Sequence, residues 1–405
     1  MSIFFHRKEV QILILTCFLV LRVNKKEAFE FVNMRYTDSI SILLISLTCL
    51  IYIILRVLVK SVNILILYFI LVMAFSRLYF LQFYIFFELS LIPIFIIIFG
   101  EGKSFERIEA GVYLFIYTLF FSIPLLICFG VSLNLTFLNS RHLGASIFYL
   151  FLFSAFLVKL PVFFLHSWLP KAHVEAPSYG SILLARIILK LGGYGYLKIM
   201  IVGFKVLKVI STHLFILFTV GALISSLMCL YNSDLKIIVA LSSVSHISLM
   251  IGGLNMGLFE SKIRGLAVIL AHGFSSSLLF FWLNVAYERS LRRRIFICKH
   301  ASFCINFRFM IFTAGAINIA APPFHRFFRE VITFLCLVSL STYRRGIVIF
   351  FYIIFRTLYS VYLYYNFKRT GYNFFRSPPC NVREIIVFCF HVWFTLTFLV
   401  TIMKV

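Results

Sequence analysis

The sequence predicts an all-α polytopic membrane protein, and three observations carry that prediction. Hydrophobic residues make up 62% of the 405-residue chain and charged residues only 13%, whereas a soluble domain is nearer half apolar and a quarter charged. Apolar runs of about 20 residues, enough for a helix to cross a bilayer core, recur from end to end. Several of these runs hold a single charged residue close to a proline. A charge at the bilayer centre costs ~2.5–3.5 kcal/mol on insertion scales, so it persists where it faces a protein interior or a hydrated cavity. A helix break beside it suits a carrier of ions or protons better than an inert anchor.

Composition also excludes several classes. Lys and Arg number 38 against 14 acidic residues, a net charge of +24. Nucleic acid is the usual partner of such a balance, but here the basic residues stand singly or in short clusters between apolar runs. Anionic lipid and helix-end carbonyls account for them more simply. The densest cluster, Arg289, Arg292, Arg293, Arg294 and Lys299, reads as a juxtamembrane anchor. The nine cysteines form no CxxC pair, so neither an iron–sulfur cluster nor a disulfide framework is signalled. Cys298, His300 and Cys304 lack a fourth partner for a metal site. The high counts of Phe (51) and Tyr (20) match a T-rich coding strand, as in many mitochondrial genomes.

Taken in order, residues 11–21 form a short first span, with no small-residue cleavage site after it. Spans at 40–59 and 62–76 follow, separated by Lys60. The run 78–100 places Glu88 mid-helix with Pro93 five residues on. After a span at 111–131, the run 146–167 carries Lys159, Pro161 and His166. Pro161 has no N–H to donate, which leaves the Leu157 carbonyl without its usual partner. An unbroken helix would put His166 on the face of Lys159, two turns away, although Pro161 disturbs that register. The connecting segment WLPKAHVEAP supplies Trp168 as an interfacial residue and Lys171, His173 and Glu175 at a helix–helix turn. The next span, 178–201, holds Lys190 with Arg186 one turn earlier on the same face. Two buried cations repel, so Arg186 is expected to have an acidic partner or to point away from Lys190. The nearest acids in sequence, Glu101, Glu106, Glu109 and Glu175, fall at helix ends.

A plain span at 212–231 precedes NSDLKIIVALSSVSHISLM, where His246 is flanked by Ser242, Ser243, Ser245 and Ser248. Hydroxyls donate and accept, so they can fix an imidazole tautomer and hold water. The run 266–287 contains AHGFSSSLLFF, with His272 one turn from Ser275 and Ser276. Residues 303–340 are too long for one span and are interrupted by Pro322 and Pro323; Glu330 follows, crowded by His325, Arg326 and Arg329. Spans at 347–366 and 384–403 bring the total to about 13. The breaks at Pro161 and at Pro322–Pro323 lie in corresponding halves, the sequence pointer to an inverted-repeat carrier.

These motifs carry a resemblance. LVKLPVFFLHSWLPKAHVEAP followed by ILKLGGYG resembles the antiporter-like membrane subunits of the proton-pumping NADH:quinone oxidoreductase, respiratory complex I, and most of all their subunit 4 branch. FFE-x4-P at Glu88, DLK-x3-A-x-SS-x-SH at His246, AHG-x2-SS-x-LF at His272, YER at 287–289 and PP-x6-E at Glu330 extend it over residues 83–383. The resemblance implies a proton path: Glu88 and Lys159 as the intake pair, Lys190 as the central switch, His246 and His272 as a relay with buried water, and Glu330 as the exit group. His166 and His173 would support it, and Pro161, Pro322 and Pro323 would break its two discontinuous helices. It divides the chain into amino-terminal spans (1–80), a translocating core (81–383) and a last span (384–405). Arg186 and Arg329 depart from the family pattern. The chain offers neither a GxGxxG context nor a cysteine ligand set. NADH, flavin, iron–sulfur clusters and ubiquinone are therefore expected in partner subunits, membrane and peripheral, of a complex in the mitochondrial inner membrane. The rival readings are a cation/proton antiporter subunit and a structural membrane subunit without pumping.

Overall fold

A computed structural model describes residues 35–59, 61–77, 80–102, 105–132, 143–202, 204–255, 259–290, 293–295, 301–302, 305–322, 324, 330–331, 334, 343–368, 375–376 and 380–402. The chain divides into two compact units, Met1–Glu101 and Gly102–Val405.

The amino-terminal unit contains α1 (Arg35–Leu58), α2 (Val62–Ser76), α3 (Phe80–Leu89) and α4 (Leu91–Glu101). Leu47, Ile51 and Leu55 recur at helical spacing on α1 and are fully buried, as are Leu67, Leu71 and Ala74 on α2; these faces pack α1 on α2. Hydroxyls within the apolar helices are satisfied locally: Ser46 donates to the carbonyl of Leu43 at 2.8 Å and Thr48 to that of Ile45 at 2.7 Å. The expected single helix around Glu88 is two helices joined at Ser90. Pro93 falls in the first turn of α4, where its missing N–H breaks no bond. Glu88 thus sits one residue from the end of α3, beside the joint inside the 22-residue stretch Phe80–Glu101.

The carboxy-terminal unit is built from α5 (Arg107–Ser132), α6 (Leu143–Lys159), α7 (Trp168–Glu175), α8 (Ser178–Leu183), a π-helical turn (Leu184–Ile188), α9 (Leu189–Val202), α10 (Phe204–Tyr231), α11 (Leu235–Asn255), α12 (Phe259–Ser290), α13 (Ile305–Ile319), α14 (Tyr343–Lys368) and α15 (Val382–Ile402). A two-residue parallel pair, β1 (Ala301–Ser302) with β2 (Phe375–Arg376), joins two connections. Leu235–Asn255 and Val268–Ser290 are each 89% buried, against 33% for Arg107–Cys128 and Gly346–Asn366. α11 and the carboxy-terminal part of α12 are therefore the core, while α5 and α14 present apolar faces outward, as bilayer-facing helices do.

Six stretches of the described residues are long and apolar enough to cross a membrane: the four above, Phe80–Glu101 and His213–Tyr231. Of the about 13 spans expected, others are shorter or interrupted, such as α2, α6 and α13. The expected span at 11–21 lies outside the described residues.

Glycines bring α9 onto the end of α6. A Cβ at Gly195 would stand 2.0 Å from the Phe156 ring, and one at Gly192 would stand 3.1 Å from Cβ of Lys159. The LGGYG motif is thus a close-approach surface that sets α9 beside the turn holding Lys159. Gly195→Ala is expected to destabilise the unit by about 1–3 kcal/mol, read as a lower melting temperature of the detergent-solubilised complex; an unchanged transition would disprove the tight contact.

Candidate functional site

The first predicted break is real, and it begins earlier than a single missing hydrogen bond requires. α6 ends at Lys159, itself 1% exposed. Residues 160–167 are irregular, and Phe164 has φ of 77°. Such a backbone costs a bulky residue roughly 1–3 kcal/mol and persists only where its surroundings impose it. The Leu157 carbonyl is not orphaned: the Val162 N–H reaches it at 3.4 Å. The next carbonyl, of Val158, accepts the indole N–H of Trp168 at 2.9 Å. Trp168 is fully buried and caps the broken helix from within, so it is not an interfacial belt residue.

Because α6 stops at Lys159, His166 does not share its helical face. His166 is half-buried and stacks on Phe163 at 5.2 Å between centroids. His173 is not a solvated loop histidine either. It lies in α7, fully buried and stacked on Phe280 at 4.3 Å. The carboxyl end of α7 is held by Lys236, which donates to the carbonyls of Val174 (3.1 Å) and Ala176 (3.0 Å). Arg293 adds bonds to the Val174 carbonyl (3.3 Å) and the Glu175 carboxylate (3.4 Å). Cations at a helix carboxyl terminus satisfy its orphan carbonyls. The basic cluster is accordingly in part a clamp, since Arg289 likewise pairs with Glu384 of α15 at 2.6 Å.

A π turn holds Arg186, and Lys190 follows it on α9. Lys190 donates to the Ala185 carbonyl at 2.8 Å. Arg186 turns instead to His391 on α15, 3.3 Å away, and to the Phe274 ring, 4.5 Å from its centroid. No carboxylate pairs with Arg186 among the described residues.

On its other side Lys190 lines a cavity of about 10 Å³, counted as space open to a water's centre, together with His246, His272, Leu160 and Ile269. That is room for about one water. The rings of His246 and His272 are 5.8 Å apart. The serines beside His246 do not set its tautomer. Ser242, Ser243 and Ser245 donate to carbonyls of their own helix at 2.7–2.8 Å, and Ser248 accepts the Phe163 N–H at 3.4 Å. His246 is held by side chains from α13 and α14: Nδ1 is 2.9 Å from the Tyr352 hydroxyl, while Nε2 is 3.2 Å from Oδ1 of Asn318 and 3.3 Å from the Tyr359 hydroxyl. An amide oxygen only accepts, so Nε2 carries a proton.

The track continues through Asn318. Its backbone carbonyl, in the last turn of α13, accepts from Arg356 of α14, and the same guanidinium donates to the Glu330 carboxylate. Arg356 and Glu330 are both buried. The second break also matches the prediction: α13 stops at Ile319, Ala320 has φ of 60°, and Pro322 follows. Phe164 and Ala320 are the non-glycine residues of positive φ among the described residues, one at each break. Pro323, His325, Arg326 and Arg329 lie outside the described residues, as do Cys298, His300 and Cys304. The cation found against Glu330 is therefore Arg356, 26 residues on.

Sequence reasoning missed Asn318, Tyr352, Tyr359, Arg356 and His391. Arg356 carried the same signal as Lys159, a single charge inside an apolar run, and was legible on that ground. The others are polar residues whose roles depend on helices distant in sequence.

Buried cations, paired histidines and an acid in two broken helices define a multi-pass membrane protein of the antiporter-like class. The family model for the transmembrane region of NADH:quinone oxidoreductase and Mrp antiporters matches residues 78–356. NADH-ubiquinone oxidoreductase chain 4 of Ceratitis capitata is 37% identical over 355 residues, 84% of this chain and 77% of that protein. Chain 4 of Rhipicephalus sanguineus is 32% identical over 397 residues, 95% of this chain and 92% of its own length. The fold is similar to a chain of respiratory complex I from Thermus thermophilus with bound NADH, at a TM-score of 0.79 and 21% identity, covering 94% of this chain and 88% of that one. It is also similar to a chain of the Mrp complex from Dietzia sp. DQ12-45-1b, at 0.75 and 17%, covering 86% and 68%. The chain belongs to the NADH:quinone oxidoreductase/Mrp antiporter transmembrane family and, within it, to the chain 4 subunits of NADH-ubiquinone oxidoreductase.

Proposed function

We propose that this chain translocates protons as a membrane subunit of NADH:ubiquinone oxidoreductase in the mitochondrial inner membrane, driven by redox chemistry in partner subunits. The observation that carries the reading is the buried track from Lys190, across a water-sized cavity lined by His246 and His272, through Asn318 and Arg356 to Glu330. Such groups are expensive in a membrane and are expected to be retained for ion or proton transfer. Lys190 is the central switch, His246 and His272 relay, and Glu330 is the exit group. Glu88, beside the joint of α3 and α4, and Lys159, at the end of α6, are each an intake group. The two breaks, each with one strained residue, support an inverted-repeat core within 81–383. NADH, flavin, iron–sulfur clusters and ubiquinone belong to the partner subunits.

Purification of the tagged chain from inner membranes tests this. It is expected to bring down a large assembly with flavin and iron–sulfur subunits, whose vesicles acidify on NADH addition without sodium. Recovery apart from any redox subunit, with sodium-dependent proton exchange, would establish an antiporter instead.

A further inference from the structure

Arg186 is 0% exposed in the middle of the π turn. Its guanidinium meets the face of Phe274, and its Nη1 lies 3.3 Å from Nε2 of His391. Its Nε and Nη2 have no hydrogen-bond partner among the described residues. The neighbouring bond fixes the histidine tautomer. Nδ1 of His391 lies 2.8 Å from the Val387 carbonyl, which can only accept, so Nδ1 carries the proton and Nε2 turns its lone pair to the guanidinium. His391 is fully buried, with its ring close to parallel with Phe281. The histidine is therefore an acceptor aimed at a cation, carried by the last helix of the chain.

This arrangement bears on Lys190. Lys190 lines its cavity with His246 from α11 and His272 from α12, and Lys159 from α6 lies beside Gly192 on its own helix. An unbroken helix would stack Arg186 on Lys190, one turn apart, and would set a permanent cation against the group that must gain and lose a proton. The cavity lined by Lys190 is not lined by Arg186, and keeping it so needs something to hold the guanidinium where it is.

We propose that His391 of α15 is a positioning residue for Lys190: with Phe274, it anchors the Arg186 guanidinium off the cavity, so that Lys190, and not Arg186, faces His246 and His272. The inference rests on the reading of Lys190 as the proton switch. It makes the last helix a working part of the pump rather than a membrane anchor.

The test is proton pumping per NADH oxidised in vesicles carrying the assembled complex. His391→Phe keeps the ring but removes the acceptor, and is expected to lower pumping about tenfold or more. His391→Gln supplies another acceptor and is expected to stay within about threefold of the parent. Adding Arg186→Leu to His391→Phe removes the cation that needed anchoring and is expected to restore pumping, a recovery that a packing role for His391 does not predict. Parent-level pumping by His391→Phe, or a double variant as impaired as the single one, overturns the proposal. Should His391→Phe fail to assemble, Arg186→Leu alone decides: sustained pumping supports the proposal, and a loss as deep as that of Lys190→Ala overturns it by placing Arg186 on the path. Lys190→Ala, run in parallel, separates the two claims. Full pumping by that variant removes Lys190 from the mechanism, whereas its loss beside an unimpaired His391→Phe removes only the role of His391.

Discussion

Lys190→Ala is expected to abolish proton translocation in a complex that still assembles. The substitution removes a buried charge, so insertion becomes easier rather than harder, and alanine is the best helix former. What disappears is the one titratable cation lining the cavity with His246 and His272. Loss of a positioned proton-transfer group typically costs about 10²–10⁴-fold. Lys190→Arg is expected to fail as completely, because a guanidinium keeps the charge but does not release the proton at any physiological pH. Pumping by the arginine variant near the parent level, in quinone-coupled vesicles, would show that Lys190 acts as a fixed charge. The same pair of substitutions at Lys159, at the end of α6, is expected to behave alike.

The second large effect falls on assembly. Arg356 both caps the last turn of α13 at Asn318 and neutralises the buried Glu330. Arg356→Leu breaks the buried ion pair with Glu330, a loss of about 3–5 kcal/mol, which is expected to empty the assembled pool on a native gel. Adding Glu330→Gln is expected to recover most of the assembly, since the uncompensated charge is gone, while pumping stays lost. Recovery of pumping along with assembly would refute Glu330 as the exit group. Intact assembly of Arg356→Leu alone would mean that the ion pair contributes little.

The buried cations were legible because lipid penalises them: Lys159, Lys190 and Arg356 each interrupt an apolar run, while Glu330 was marked by the proline break before it. The breaks were legible because proline removes a donor wherever it stands. Partners were not. The serines around His246 look like its ligands in sequence, yet a helical hydroxyl has a carbonyl of its own within reach, and that local bond wins at Ser242, Ser243 and Ser245. Arg186 and Lys190 look stacked because sequence spacing assumes 3.6 residues per turn, and nothing in LLARIILK announces the π turn. Trp168 looks interfacial by residue type, but its indole meets a carbonyl freed by a break ten residues earlier. The family resemblance named Lys190, His246, His272 and Glu330 and was silent on His391, which it had no motif to mark.

A proton pump must also be an insulator, and the size of the cavity beside Lys190 bears on that requirement. Conduction along hydrogen-bonded water needs several molecules in file, whereas about 10 Å³ admits about one. On the proposed path the step between lysine and histidines is a single hop, largely walled by Leu160, Leu189, Val268 and Ile269. A small displacement of these side chains closes it or opens it to a second water. On the proposed path, enlarging this junction, by trimming Ile269 for instance, is expected to trade insulation for conductance.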